Sequence, residues 1–158
     1  MVNEKVKELE TVLKELESHR VIIWASYIEE VRLLKKLVHT LRSESWVIDG
    51  STPAFDRLFI TEQFNRSQDG VLVANPAVAG EGLTILAPYV IYYSRGWRLG
   101  DRIQSLGRSH RPGAEQFNNV TVIDVVAKDT IDERVLEALE GKTELLEKVR
   151  PGTVRSMV

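Results

Sequence analysis

The sequence contains no cysteine, and this absence excludes disulfide bonds, a thiolate zinc site and a cysteine nucleophile. Its three histidines are scattered without metal-ligand spacing, so we expect no metal held by the chain itself. The longest apolar runs are far shorter than the roughly 20 residues of a membrane helix. The charged residues near Met1 lack the apolar core of a secretory signal. We therefore expect a cytoplasmic protein without a membrane partner.

Low-complexity tracts and internal repeats are also missing. With 158 residues, of which 43% are hydrophobic and 28% charged, the chain has the composition of one soluble domain that buries a core. A net charge of −2 argues against general coating of nucleic acid. The window 95–111, however, holds five arginines against one aspartate. This locally basic window predicts a site for a defined anion.

Short apolar runs alternate with helical patterns along the chain. Continuous apolar runs are typical of parallel strands that helices cover on both faces, and they occur at residues 21–25, 46–48, 71–74, 90–93 and 120–126. Helical periodicity or capping signals occur at residues 3–18, 28–41, 53–65, 99–110 and 130–150. The alternation predicts a three-layer α/β domain with a mainly parallel sheet over residues 1–150. Pro151 and Gly152 predict that residues 151–158 form a tail.

The loops that follow the strands are the places where open parallel sheets bind ligands. The loop after the third predicted strand contains Gly80, Glu81 and Gly82. Glycines let backbone amides approach an oxygen-rich ligand because no Cβ intervenes. A tight turn that needs glycine is the alternative, and it is the favoured explanation when this loop is considered alone.

The helix predicted after the fourth strand presents one amide and two guanidinium groups on one face. Gln104, Arg108 and Arg111 are four and three residues apart, which places them within roughly 60° of one another around the helix axis. Planar, permanently charged arginines give forked donors that suit a phosphate chain. A solvated basic face, or arginines paired with structural carboxylates, is the alternative explanation.

The segment 104–113, with Arg108-Ser109-His110-Arg111-Pro112-Gly113 at its end, resembles motif VI of superfamily two helicases and translocases of the Swi/Snf-like branch. Residues 21–27 resemble motif IV, residues 49–52 the Asp-Gly-Ser/Thr segment that follows it, and residues 80–83 motif V. Residues 130–135 are similar to the segment that closes the second lobe in that branch. The resemblance covers about residues 20–148 and implies the C-terminal RecA-like lobe of a nucleic-acid-dependent ATPase.

The resemblance also implies a role for each motif. ATP with Mg²⁺ would be held mainly by a separate N-terminal RecA-like lobe, and the glycine loop 80–82 would border it. Arg108 and Arg111 would act as arginine fingers on the γ-phosphoryl group, and Gln104 would orient the site. The phosphate backbone of DNA, with RNA as the alternative, would be contacted by Ser26, Ser51, Thr52 and Asn75.

A P-loop is missing from the sequence. Gly141-Lys142-Thr143 matches only its end, because Leu136 occupies the position of the first glycine and the tripeptide lies within a helical pattern. The chain is therefore interpreted as half of an active site, and a non-catalytic RecA-like module that binds nucleic acid or protein is the alternative. Ala114 and Asn75-Pro76 depart from the family's pattern, which favours a bacterial, archaeal or phage protein over a eukaryotic chromatin remodeller.

Overall fold

The computed structural model describes residues 2–78, 83–95, 120–127, 130–143 and 153–157. The helices in these ranges are α1 (Val2–Glu15), α2 (Ile28–Leu41), α3 (Ala54–Arg66) and α4 (Ile131–Thr143). The strands are β1 (Val21–Trp24), β2 (Ser45–Ile48), β3 (Val71–Ala74), β4 (Tyr89–Tyr92), β5 (Thr121–Val125) and β6 (Thr153–Met157). Each begins within one residue of its predicted start, apart from β6, which was not predicted. The part of the last predicted helix after Thr143 lies outside the described residues. The helix predicted over residues 99–110 lies outside the described residues.

The strands form one sheet with the order β2-β3-β1-β4-β5-β6. Every pairing is parallel, which confirms the predicted α/β class with a parallel sheet. The prediction of a tail after Gly152 is wrong for Thr153–Met157, because this segment pairs in parallel with β5. Its backbone provides partners for the outer edge of β5, where the N–H and C=O groups would otherwise lack them.

Two hydrophobic cores lie on opposite faces of the sheet and make the predicted three layers. On one face, Val21 and Ile23 of β1 pack in a cluster with buried residues of α1 and α2 such as Leu13 and Leu34. On the other face, the alternate residues of β1 pack with Phe64 of α3 and with residues of the segment 83–87. Trp24 is fully buried in this second cluster, as its place in a strand pattern predicts.

Buried arginines join elements at the edge of the sheet where the strands begin. Arg42 donates to the carbonyls of Leu13 at 2.9 Å, of Leu16 at 2.7 Å and of His19 at 3.0 Å, and also to Asp69. Arg20 donates to carbonyls at the end of α3 and in the segment before β4. These guanidinium groups thus provide donors for carbonyls at the ends of helices and connect those helices to the sheet at this edge.

Helix α4 begins at a capping threonine. The hydroxyl of Thr130 accepts a hydrogen bond from the amide of Asp132 at 3.2 Å, and the carboxylate of Asp132 pairs with Lys5 of α1 at 2.9 Å. The tripeptide 141–143 lies inside α4, which confirms that it is helical. None of the helices in the described ranges combines the length and the apolar character that a membrane span requires.

Candidate nucleic-acid and nucleotide site

The residues expected to contact nucleic acid follow three neighbouring strands at the edge where those strands end, which we call the carboxyl edge. Ser51 and Thr52 follow β2, Asn75 follows β3 and Ser26 follows β1. Because the strand order is β2-β3-β1 and all three are parallel, the four residues form a row along one edge. The structure therefore brings together the residues that the sequence could only assign separately.

The first part of this row is a turn organised around Asp49. One carboxylate oxygen of Asp49 accepts hydrogen bonds from the amide of Ser51 at 2.8 Å and from its hydroxyl at 2.6 Å. The hydroxyl of Thr52 accepts from the amide of Asp49 at 3.1 Å. Donation from the Ser51 hydroxyl, aided by its amide, lowers the pKa of Asp49. Since a hydroxyl has one proton, Ser51 must exchange this bond for one to a phosphate oxygen in order to donate to it.

Arg57 of α3 joins this turn to the loop after β3. Its Nε donates to the carbonyl of Thr52 at 2.8 Å, and a terminal nitrogen donates to the carbonyl of Val78 at 2.7 Å. Val78 lies two residues before Gly80. One half-buried guanidinium group therefore fixes the loops that follow β2 and β3 relative to each other. Arg57 was not predicted from the sequence, because no motif distinguishes it from a surface arginine.

Both polar atoms of the Asn75 side chain contact backbone groups. Its carbonyl oxygen accepts from the amide of Ala77 at 2.9 Å, and its NH₂ group lies 3.5 Å from the carbonyl of Ser26. The backbone N–H of Asn75 donates to the carbonyl of Ile48. Asn75 therefore connects the ends of three strands, and it is half-buried. This geometry makes it an organiser of the row as well as a candidate contact.

Ser94 extends the row to a fourth strand, because it follows β4 next to β1. Its hydroxyl oxygen accepts from the amide of Ser26 at 2.8 Å, and its proton is donated to the carboxylate of Glu30 in α2. Burial raises the pKa of Glu30, and the bond from Ser94 partly opposes this shift. Ser94 also follows a strand, and open parallel sheets bind ligands in the loops that follow their strands. It was not predicted, however, because a single serine matches no motif.

Arg95 does not contribute to an exposed basic site. Its side chain is buried and donates to the carbonyls of Tyr92 at 2.8 Å and Val125 at 2.6 Å. Its Nε lies 3.4 Å from the carboxylate of Asp124, which is also buried. One of the five arginines counted in the basic window is therefore structural, and the prediction of an anion site there must rest on the other four.

The remaining predicted site residues lie outside the described residues. They are the glycine loop residues Gly80, Glu81 and Gly82, and the motif VI residues Gln104, Arg108 and Arg111. Their assignments stay predictions. Along the chain, Gly80 lies two residues after Val78, whose carbonyl Arg57 binds, and Gln104 lies nine residues after Arg95.

Among the described residues, no group of three or more histidine, aspartate or glutamate side chains is arranged to hold a metal ion. The carboxylates at this edge are engaged instead with protein donors, as Asp49 is with Ser51 and Glu30 is with Ser94.

Known proteins resemble this chain over most of its length. The family described as "Helicase conserved C-terminal domain" matches residues 4–113. The chromatin-remodeling ATPase INO80 of Homo sapiens is 30% identical over 152 residues, which cover 94% of this chain and 10% of that protein. The putative ATP-dependent helicase/translocase YwqA of Bacillus subtilis (strain 168) is 28% identical over 148 residues, which cover 92% of this chain and 16% of that protein. The chain thus spans 16% or less of the length of these two relatives.

A solved structure shares the fold. The crystal structure of the C-terminal part of the Fun30 ATPase domain superposes with a TM-score of 0.76 at 24% sequence identity. The match covers 85% of this chain and 44% of that one. At this identity the likeness establishes the arrangement of helices and strands.

Proposed function

The chain belongs to the helicase conserved C-terminal domain family, and from this premise we propose that it is the second lobe of an ATP-dependent nucleic-acid translocase or helicase. The observation that carries the proposal is the row of Thr52, Asn75 and Ser26 at the ends of three adjacent parallel strands. A row of polar groups along such an edge is suited to a ligand with regularly repeated acceptors, as a phosphate backbone has.

The nucleotide side of the proposal rests on motif VI. ATP with Mg²⁺ is the substrate, held mainly by a separate N-terminal lobe that carries the P-loop. Arg108 and Arg111 contact the γ-phosphoryl group as charge develops on it, and Gln104 orients the site. The glycine loop 80–82 borders the nucleotide through its backbone amides. Because the phosphate cradle lies elsewhere, we expect no ATP turnover from this chain alone.

The nucleic-acid side of the proposal involves the backbone and not the bases. Hydroxyl and amide groups that contact phosphates carry no sequence information, so binding should tolerate sequence and weaken with salt. We propose double-stranded DNA as the tracked polymer. Competition among duplex DNA, single-stranded DNA and RNA in an ATPase assay distinguishes these substrates, and the strongest stimulation by RNA would overturn this choice.

The experiment that tests the proposal removes the finger arginines in the two-lobe protein. Arg108→Ala or Arg111→Ala should each lower ATP turnover by about 10³-fold, while nucleotide affinity changes much less. Arg102→Ala is the matched control: it removes the same charge from the same window, and at about 100° per residue the predicted helix places it well away from the finger face. Wild-type turnover in both finger variants would eliminate the assignment and favour the non-catalytic interaction module.

A further inference from the structure

The row at the carboxyl edge provides hydrogen-bonding groups, but its own side chains carry no positive charge. Its members Ser26, Ser51, Thr52 and Asn75 are neutral. The guanidinium group of Arg57 beside them is half-buried and donates to two carbonyls. Binding of nucleic acid without regard to sequence draws its affinity from basic side chains that neutralise phosphates. A neighbouring basic surface is therefore expected to complete the site.

Such a surface lies on α2, which packs against β2, the strand that leads into the turn of Ser51. Arg32, Lys35 and Lys36 of this helix are all exposed. Because the two lysines lie three and four residues after the arginine, the three side chains fall within roughly 100° of one another around the helix axis. None of them forms an ion pair with another described residue. We call these three residues the basic face of α2.

Two interactions show where the basic face lies relative to the row. The Nδ1 atom of His39 lies 3.5 Å from the hydroxyl oxygen of Ser45 at the start of β2, so α2 runs along this edge strand. At the other end of β2, donation from Ser51 is the main cause of the lowered pKa of Asp49, and the positive charge of Lys35 lowers that pKa further. The basic face is therefore within electrostatic reach of the turn at which the row begins.

The other exposed lysines of the described ranges, and Arg134, lie among acidic side chains. Lys7 and Lys14 lie on α1, where Lys14 pairs with Glu10 at 3.1 Å. Arg134 lies on α4, with Glu137 three residues after it. On a chain with a net charge of −2, three cations without ion pairs on one helix face are a local excess of positive charge. Such an excess is complementary to a polyanion.

We propose that the basic face of α2 is a second nucleic-acid contact, which binds the phosphate backbone of duplex DNA beside the row. The inference rests on the proposed function and adds the source of charge for it. The row positions a strand through hydroxyl and amide groups, and the basic face supplies the electrostatic attraction. From Arg32 to Lys36 the helix rises roughly 6 Å, whereas one strand of duplex DNA presents a phosphate about every 3.4 Å along its axis. The face therefore spans about two phosphates, and its long side chains extend that reach.

The test is a triple variant of the two-lobe protein that carries Arg32→Gln, Lys35→Gln and Lys36→Gln. Its affinity for a labelled mixed-sequence DNA duplex is measured by fluorescence anisotropy from about 50 to about 200 mM salt. The slope of log affinity against log salt should become shallower by up to about 2.7, since each phosphate contact contributes about 0.9. The affinity itself should fall roughly tenfold, the factor expected of three exposed ion pairs.

The matched control combines Lys7→Gln, Lys14→Gln and Arg134→Gln. It removes the same charge from exposed positions on α1 and α4, which are joined to each other by the Lys5–Asp132 pair. We expect this control to change the slope and the affinity much less, because its side chains lie on helices other than the one beside β2. If the triple variant of α2 fails to fold, its three single variants decide the matter, and each should lower the slope by about 0.9.

Each outcome supports or overturns a definite statement. If the basic-face variant and the control change the slope and the affinity equally, the face contributes only net charge and the proposal is overturned. A wild-type slope in the basic-face variant also overturns it and favours an acidic protein as the partner of this face. Either result, in a protein whose ATP turnover DNA still stimulates, leaves the proposed function intact. If the wild-type protein binds neither duplex DNA, single-stranded DNA nor RNA, the proposed function itself fails.

Discussion

Arg57 offers a sharp test of how the carboxyl edge is built. Arg57→Met keeps the length of the side chain but removes the donors to Thr52 at 2.8 Å and Val78 at 2.7 Å. The group is half-buried, so we assign about 1 kcal/mol to each bond and expect a loss of about 2 kcal/mol in the free energy of unfolding. For a chain of this size that corresponds to a fall of about 4–8 °C in Tm.

The same change should weaken nucleic-acid binding, because the loops after β2 and β3 lose their common anchor. Full transfer of about 2 kcal/mol to binding would lower the affinity roughly 30-fold, which sets the upper limit. Fluorescence anisotropy with labelled DNA measures this affinity, and thermal unfolding followed by circular dichroism measures the stability.

Arg66→Met is the matched control for Arg57→Met. Arg66 lies in the last turn of the same helix and is exposed, so the control removes the same charge without touching either loop. Arg66 lies at the edge of the sheet where the strands begin, away from the row, so Arg66→Met should leave the affinity and the Tm almost unchanged. If both variants lower the affinity and the Tm equally, the two hydrogen bonds of Arg57 do not organise the carboxyl edge.

Three further predictions concern residues that stabilise the fold. Arg42→Met should lower the free energy of unfolding, measured in urea, by about 3 kcal/mol or more, because buried carbonyls lose a charged donor. Arg32→Met, on the exposed face of α2, should lower it by less than about 0.5 kcal/mol. Phe64→Ala should lower the free energy of unfolding by about 3–5 kcal/mol, because Phe64 is buried in the core. Phe55 lies on the same helix but is 83% exposed, so Phe55→Ala should leave the urea midpoint almost unchanged. The lowered pKa of Asp49 means that its carboxylate stabilises the fold above the ordinary value of 3.8 and that this contribution is lost as pH falls through the folded-state pKa. Asp49→Asn should therefore lose stability near neutral pH and approach the wild type in acid, and an equal difference at both pH values would contradict this assignment.

The fold was largely predictable because hydrophobic continuity reports burial on both faces of a sheet. The run 21–25 is apolar at every position, and the structure buries all of β1. Strand β6 was missed because Pro151 and Gly152 are strong signals for the end of an element. Nothing local in Thr153–Met157 indicates that β5 needs a partner, since that need arises only when the sheet is assembled.

The candidate site was predictable residue by residue but not as a network. The sequence places Ser26, Thr52 and Asn75 after separate strands, and only the strand order β2-β3-β1 makes them a row. Arg57 and Ser94 have no motif, because each acts through contacts with residues 21 and 68 positions away in the chain. Such contacts depend on tertiary geometry, so no pattern of local spacing reveals them.

The arginines show why counting charge misleads in this protein. Arg20, Arg42 and Arg95 are all buried, and each donates to backbone carbonyls, a use that the fork of guanidinium donors permits. Without Arg95, the basic window retains four arginines against Asp101, so an anion site is still expected there. A variant of Arg95 would leave the buried carboxylate of Asp124 without this cation and would perturb the ends of β4 and β5 as well as any ligand. Loss of activity in such a variant would therefore be ambiguous, and only Arg108 and Arg111, compared with Arg102, test the nucleotide site.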